Sequence, residues 1–104
     1  MSLNIIKFNG FNKKNRYVQY FIELAEQTYI FIVRWCNYNN CAYLTIKSYE
    51  DIPIIMGRAL TNNLIIRSEK LPYVLMFVNQ NGKTYEPTLD NIASEFVLAY
   101  DDGE

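Results

Sequence analysis

Cys36 and Cys41 are the residues whose type and spacing could most directly do chemistry. They flank the polar residues 37–40, which predict a hairpin loop, so the two thiols would face each other on neighbouring strands. Opposed strand positions bring Cβ atoms close enough for a disulfide. We expect neither an export signal nor a membrane anchor, because no basic-then-apolar leader and no apolar run of membrane-spanning length occur. The chain would then fold in a reducing compartment, and we predict two free thiols.

Other candidates for catalysis are few. The chain has no histidine, which removes the commonest general base and the usual triads. Glu50 and Asp51 are adjacent, but adjacent side chains diverge in a strand or turn, so a turn is the better interpretation. The four glycines are isolated and form no phosphate-binding loop. We therefore predict no catalytic residue, no cofactor, no metal site and no small-molecule substrate.

Aromatic residues and charges bear on possible partners. The nine tyrosines and six phenylalanines could stack on bases, but aromatic residues at strand spacing more often form a core, and a formal net charge of −1 does not favour nucleic-acid binding. The charge is uneven, since residues 1–16 carry only basic side chains and residues 86–104 only acidic ones. Two interpretations remain open: solvated tails, or docking sites complementary to partners.

Residues 28–35, with the sequence TYIFIVRW, form the segment around which the rest is organised. β-Branched and aromatic residues without a turn former predict a strand, and residues 41–46 predict its return partner. One face would carry Ile30, Ile32 and Arg34. Because both faces are largely apolar, we expect a central strand covered on two sides. The predicted structural core consists of Phe31, Val33, Trp35, Leu44 and Ile46.

Short alternating segments at regular spacing predict the remaining architecture. Further strands are expected at residues 17–24, 53–60, 73–78 and 95–100, and residues 64–66 form a short apolar segment. Gly57 indicates a β-bulge or a close approach of the backbone, and the Asn81-Gly82 pair predicts a hairpin that returns through residues 83–85. One helical turn capped by Thr88 is expected at residues 88–92. The fold class is therefore all-β, a small sandwich or partly closed barrel of six to seven mainly antiparallel strands.

Residues 1–16 precede the first of these strands and are treated as a separate unit. Gly10 and the polar residues 12–16 resemble a hinge. The segment could add an edge strand to its own sheet or reach a neighbouring protein, and we predict the second arrangement by strand addition. The residues expected to bind a partner here are Leu3, Ile5, Ile6, Phe8 and Phe11. The predicted organisation is an arm or edge strand at 1–16, a β-domain at 17–101 and an acidic tail at 102–104.

The order of several landmarks resembles the small baseplate plug proteins of contractile phage tails and tail-like bacteriocins. The first landmarks are a strand at residues 29–35 that ends in Arg34-Trp35, an Asn37 just after it, and the strand at 43–46. The later ones are the segment GRAL at 57–60, an apolar strand that runs into an Asn/Gly turn, the segment PTLDNI at 87–92 and the closing segment VLAYD at 97–101. The resemblance covers about residues 17–101.

This resemblance implies a structural role without turnover. It implies a protein of the virion tail or tail-like particle, assembled in the bacterial cytoplasm. It would lie at the tail tip in a symmetric assembly and help to plug or organise the end of the tube. Its partners would be tail hub, tube or spike proteins and copies of itself, with no membrane anchor and no specific nucleic acid. The alternative is a free-standing small β-fold protein-binding module or regulator from a mobile element.

Two residues of the central strand carry open alternatives. Arg34, which the family motif singles out, either forms a bidentate pair with a partner carboxylate or with a loop of its own chain, or is solvated with its stem over Ile30 and Ile32. Arg34 is accordingly a candidate partner-binding residue. Trp35 is predicted to lie in the core, with an anchor in an interface as the alternative.

Overall fold

The computed structural model describes residues 3–102, which form two four-stranded antiparallel sheets. The elements in chain order are β1 (Leu3–Lys7), β2 (Tyr17–Leu24), β3 (Gln27–Cys36), β4 (Cys41–Ser48), β5 (Pro53–Ala59), β6 (Leu64–Ile66), β7 (Leu75–Asn79), α1 (Ile92–Glu95) and β8 (Phe96–Asp101). The first sheet has the order β1-β8-β7-β6, and the second is the meander β2-β3-β4-β5. The sheets pack face to face, so the all-β prediction is confirmed as a sandwich that is not closed into a barrel, with eight strands rather than six or seven.

The core lies between the two sheets and takes alternate side chains from both. In β3 and β4 these are Phe31, Val33, Leu44 and Ile46, which are all buried. In the first sheet, Phe77 stacks on Phe96 with ring centroids 5.1 Å apart. Strand alternation places every second side chain on the same face, so the period of two in the sequence determines which residues meet here.

Two local predictions for the second sheet are confirmed. Cys36 at the end of β3 is the register partner of Cys41 at the start of β4, so residues 37–40 do form the hairpin loop. Gly57 has a φ of +57°, and the pairing of β4 with β5 is shifted in register, as a bulge requires. The amide N–H of Gly57 donates to the hydroxyl of Thr45 at 3.0 Å.

The predicted hairpin return at residues 83–85 is wrong. β7 is already paired on both sides, with β6 and with β8, so no edge of it is free for those residues. The chain instead makes a turn in which the Asn79 side-chain oxygen accepts from the amide of Asn81 at 2.8 Å. The Asn62 side chain then holds the following loop by donating to the carbonyl oxygens of Lys83 and Tyr85 at 2.9 and 3.0 Å. The helical turn begins at Ile92, later than predicted.

The N-terminal segment belongs to this domain, because β1 pairs with β8 from Leu3 opposite Asp101 to Lys7 opposite Val97. Ile6, Phe8 and Phe11 are buried in the shared core. Their own core covers these three side chains, so the prediction of partner contacts now rests on the exposed Leu3 and Ile5. Residues 12–16 are a tight turn rather than a hinge, with main-chain hydrogen bonds in both directions between Asn12 and Asn15.

Two further contacts attach this segment to the rest of the chain. The Tyr20 hydroxyl on β2 donates to the carbonyl oxygen of Asn9 at 2.8 Å, and burial raises the pKa of Tyr20 to about 12, so the hydroxyl keeps its proton. Lys13 forms an ion pair with Asp90 at 2.7 Å, although both side chains are largely exposed. The basic start and the acidic end of the chain thus meet each other within one molecule, which neither of the two interpretations of the charge pattern included.

Candidate interaction surfaces

The outward side of the second sheet carries apolar side chains that the rest of the described chain leaves partly open. We call this surface the outer face, and it consists of Phe21, Ile30, Ile32, Arg34 and Tyr43. Phe21 is 61% exposed, and its register partner Ile30 is half-buried. The expectation that β3 is covered on two sides is therefore met on the core side only. Contiguous exposed apolar side chains on a soluble protein commonly mark a contact surface.

Arg34 lies on this outer face and stacks on an aromatic ring. Its guanidinium carbon is 4.8 Å from the centre of the Tyr43 ring, and the two residues are register partners on β3 and β4. A cation over an aromatic face at an exposed site contributes about 0.5–1 kcal/mol. The guanidinium group of Arg34 therefore lies over the Tyr43 ring, and the Arg34 residue as a whole stays exposed.

Trp35 lies at the end of β3 beside a cleft of about 420 Å³. The cleft is also lined by Arg16, Asn37, Pro87 and Leu89. Its rim is held by Arg16, whose Nη1 donates to Asn37 Oδ1 at 2.6 Å and whose carbonyl oxygen accepts from the Trp35 amide at 2.9 Å. The ring is thus only partly buried against the core. The sequence did not indicate that Pro87 and Leu89 line this cleft, because they lie in a loop whose position depends on distant contacts.

Replacing Trp35 by alanine tests its two interpretations. Because the ring is partly buried, we expect a loss of about 2–3 kcal/mol in the free energy of unfolding, below the range of about 3–5 kcal/mol for fully buried aromatic residues. Urea denaturation followed by circular dichroism would measure it. The matched control is Tyr38→Ala at the loop tip, where the side chain is 94% exposed and little change is expected. If the Trp35→Ala variant kept its urea midpoint but no longer assembled with its neighbours, Trp35 would be an interface anchor instead.

The two cysteines are register partners and both are half-buried free thiols in the structure. We predict that they also stay reduced in the cell, as the two separate thiols of the structure are. Rapid alkylation during lysis followed by intact-mass measurement should show two blocked thiols. A mass with neither thiol blocked would show that a disulfide forms across the hairpin.

The predicted partner-binding residues that remain accessible do not form one site. Leu3 and Ile5 project outward from β1 and are 73% and 48% exposed. Arg34 projects outward from β3 in the other sheet. The three residues therefore lie on opposite faces of the sandwich, and any contacts that they make are with different neighbours or different parts of one neighbour.

The described residues also bear on metal binding and on membrane spanning. Within residues 3–102 no group of three or more Cys, Asp and Glu side chains could hold a metal ion. Among the same residues no helix is long and apolar enough to cross a membrane.

The fold and these surfaces define the class of a small β-sandwich suited to burial against protein neighbours. A family model described as "Cyanophage baseplate Pam3 plug gp18" matches residues 6–103, which is nearly the whole chain. The chain belongs to this family of phage baseplate plug proteins, and the resemblance seen in its sequence is confirmed. No curated protein and no solved structure shows a significant match to it.

Proposed function

We propose that this protein is a structural component of a phage tail baseplate and lies at the tail tip beside the hub and tube proteins, where it helps to plug or organise the end of the tube. The observation that carries the proposal is the family match over residues 6–103. The role is one of assembly with other baseplate components, achieved by burying surface rather than by turnover. It makes the protein part of the virion tail or of a tail-like particle.

The geometry supports this role through side chains that the fold leaves open. Leu3 and Ile5 on β1 present apolar surface next to main-chain groups at the free edge of the first sheet. An edge of this kind can accept a strand from a neighbour, with main-chain hydrogen bonds giving affinity and alternate side chains giving register. Arg34 on the opposite face can add a charge-assisted contact to a carboxylate of a second neighbour.

Electron cryomicroscopy of purified particles would test the location. We expect density for one or more copies of this sandwich at the tail tip, at the end of the tube. Density along the sheath, or particles that assemble and eject normally without this protein, would contradict the proposal.

Substitutions on β1 would test the contact surface. We expect Leu3→Asp combined with Ile5→Asp to reduce incorporation into particles at least tenfold, because two carboxylates would have to be buried without partners. The isolated chain should keep its melting temperature within a few degrees. The matched control is Ile65→Asp on β6 at the opposite edge of the same sheet, since Ile65 is as exposed as Ile5, at 48%. Equal incorporation of both variants would exclude the β1 edge as a contact.

A further inference from the structure

β2 forms an edge of the second sheet and differs from the other three edges of the sandwich. It has eight residues in regular pairing with β3 and contains no proline, glycine or bulge. At the other edge of the same sheet, β5 begins with Pro53, contains the Gly57 bulge and shows register shifts. Such features protect an edge from pairing with another chain. In the first sheet the edge strands are shorter, with five residues in β1 and three in β6.

The hydrogen-bond pattern shows which main-chain groups of β2 face outward. The carbonyl oxygen of Arg16 accepts from the amide of Trp35, so the position just before β2 bonds toward β3. In an antiparallel pair, alternate residues direct both their N–H and C=O toward the same neighbour. The residues that direct these groups to the free edge are therefore Tyr17, Gln19, Phe21 and Glu23. All four are exposed, and no described residue bonds to these groups from the open side.

The two ends of this edge carry charges of opposite sign. Lys14 and Arg16 precede the strand, whereas Glu23 and Glu26 lie at its end, and all four side chains are exposed. An antiparallel copy of the same strand would bring each basic start next to the acidic end of the other copy. A second copy of this chain thus supplies the charge complementarity that the edge requires.

We propose that two copies of this protein pair through β2 about a two-fold axis and join their second sheets into one continuous eight-stranded sheet. The axis passes beside Tyr20, so that Gln19 lies opposite Phe21 of the second copy and Tyr17 lies opposite Glu23. This register uses all four outward-facing residues of each strand and forms about eight main-chain hydrogen bonds. The same surface patch serves both subunits, as closed two-fold symmetry requires.

Sedimentation of the purified chain over a concentration series tests the pairing. We expect a monomer–dimer equilibrium that Gln19→Pro weakens at least tenfold, because proline removes an N–H that faces the partner while leaving the bonds to β3. The control is Gln19→Ala, which keeps that N–H and should dimerise like the original chain. A chain that stays monomeric up to about 0.5 mM, corresponding to a binding free energy weaker than about −4.5 kcal/mol, would overturn the proposal. A folded Gln19→Pro variant with unchanged dimerisation would also overturn it.

A cross-linking experiment tests the register and does not depend on the proline variant folding. In a background of Cys36→Ser and Cys41→Ser, chains with Gln19→Cys are mixed with chains carrying Phe21→Cys. Because these positions lie opposite each other in the proposed dimer, mild oxidation should link the mixed pair faster than either chain with itself. Raising the salt concentration should slow the reaction, since the flanking charges are exposed. Equal rates for all three pairs would overturn this register.

Discussion

Deletion of residues 2–12 is expected to leave a chain that does not fold. The deletion removes β1, which pairs with β8, and with it the buried side chains of Ile6, Phe8 and Phe11. Full burial of such side chains contributes about 1.5–3 kcal/mol each. Their sum is comparable with the total stability of a small domain, which is about 5–15 kcal/mol. Circular dichroism and amide NMR spectra of the truncated chain would show the loss directly.

The control for this deletion keeps the strand and removes only its exposed side chains. Leu3→Ala combined with Ile5→Ala should change the free energy of unfolding by less than about 1 kcal/mol, because both side chains are largely in solvent. A truncated chain that keeps a cooperative unfolding transition would show instead that the segment is detachable from the domain, as an arm would be.

Replacement of Phe77 by alanine is expected to destabilise the domain by about 3–5 kcal/mol. Phe77 is fully buried at the centre of the first sheet, between Phe96 and Phe8, whose ring centroids are 5.1 and 5.7 Å away. The Phe77→Ala substitution therefore opens a cavity and also removes two aromatic contacts. Urea denaturation would measure the change.

Phe21→Ala is the matched control for Phe77, because it makes the same chemical change on the exposed outer face. We expect it to cost less than about 1 kcal/mol in the isolated chain. Equal losses in the free energy of unfolding at the two positions would mean that the contacts of Phe77 with Phe8 and Phe96 do not dominate the core.

Local patterns predicted the second sheet well because its neighbours in space are neighbours in sequence. β2, β3, β4 and β5 follow each other through short turns, so alternation and turn residues were sufficient. The buried positions Phe31, Val33, Leu44 and Ile46 follow from the same period of two.

The first sheet was harder to predict because its pairing is remote. Leu3 lies opposite Asp101, and no local pattern can indicate that contact. Apolar residues on both faces of β1 also concealed which of them enter the core. The Asn81-Gly82 signal describes a real turn, but both edges of β7 were already taken by other strands. Long-range pairing therefore overrode a strong local preference.

The candidate surfaces were also only partly predictable from the sequence, because they depend on which strands pair. Arg34 was recognised from its motif, but its stacking on Tyr43 follows from the register of β3 with β4. The open edge of β2 was not anticipated, because an edge is defined by the strand that is missing beside it. A sequence shows what a strand can pair with only after the positions of all the other strands are known.

The antiparallel pairing of β1 with β8 also determines what terminal labels can report. Since Leu3 lies opposite Asp101, fluorophores or gold particles attached near either end would be placed at the same corner of the molecule. Two such labels would locate the subunit within a particle but would not define its orientation. A second attachment point on the other sheet is needed for that purpose, and the hairpin tip at Tyr38, which is 94% exposed, provides one.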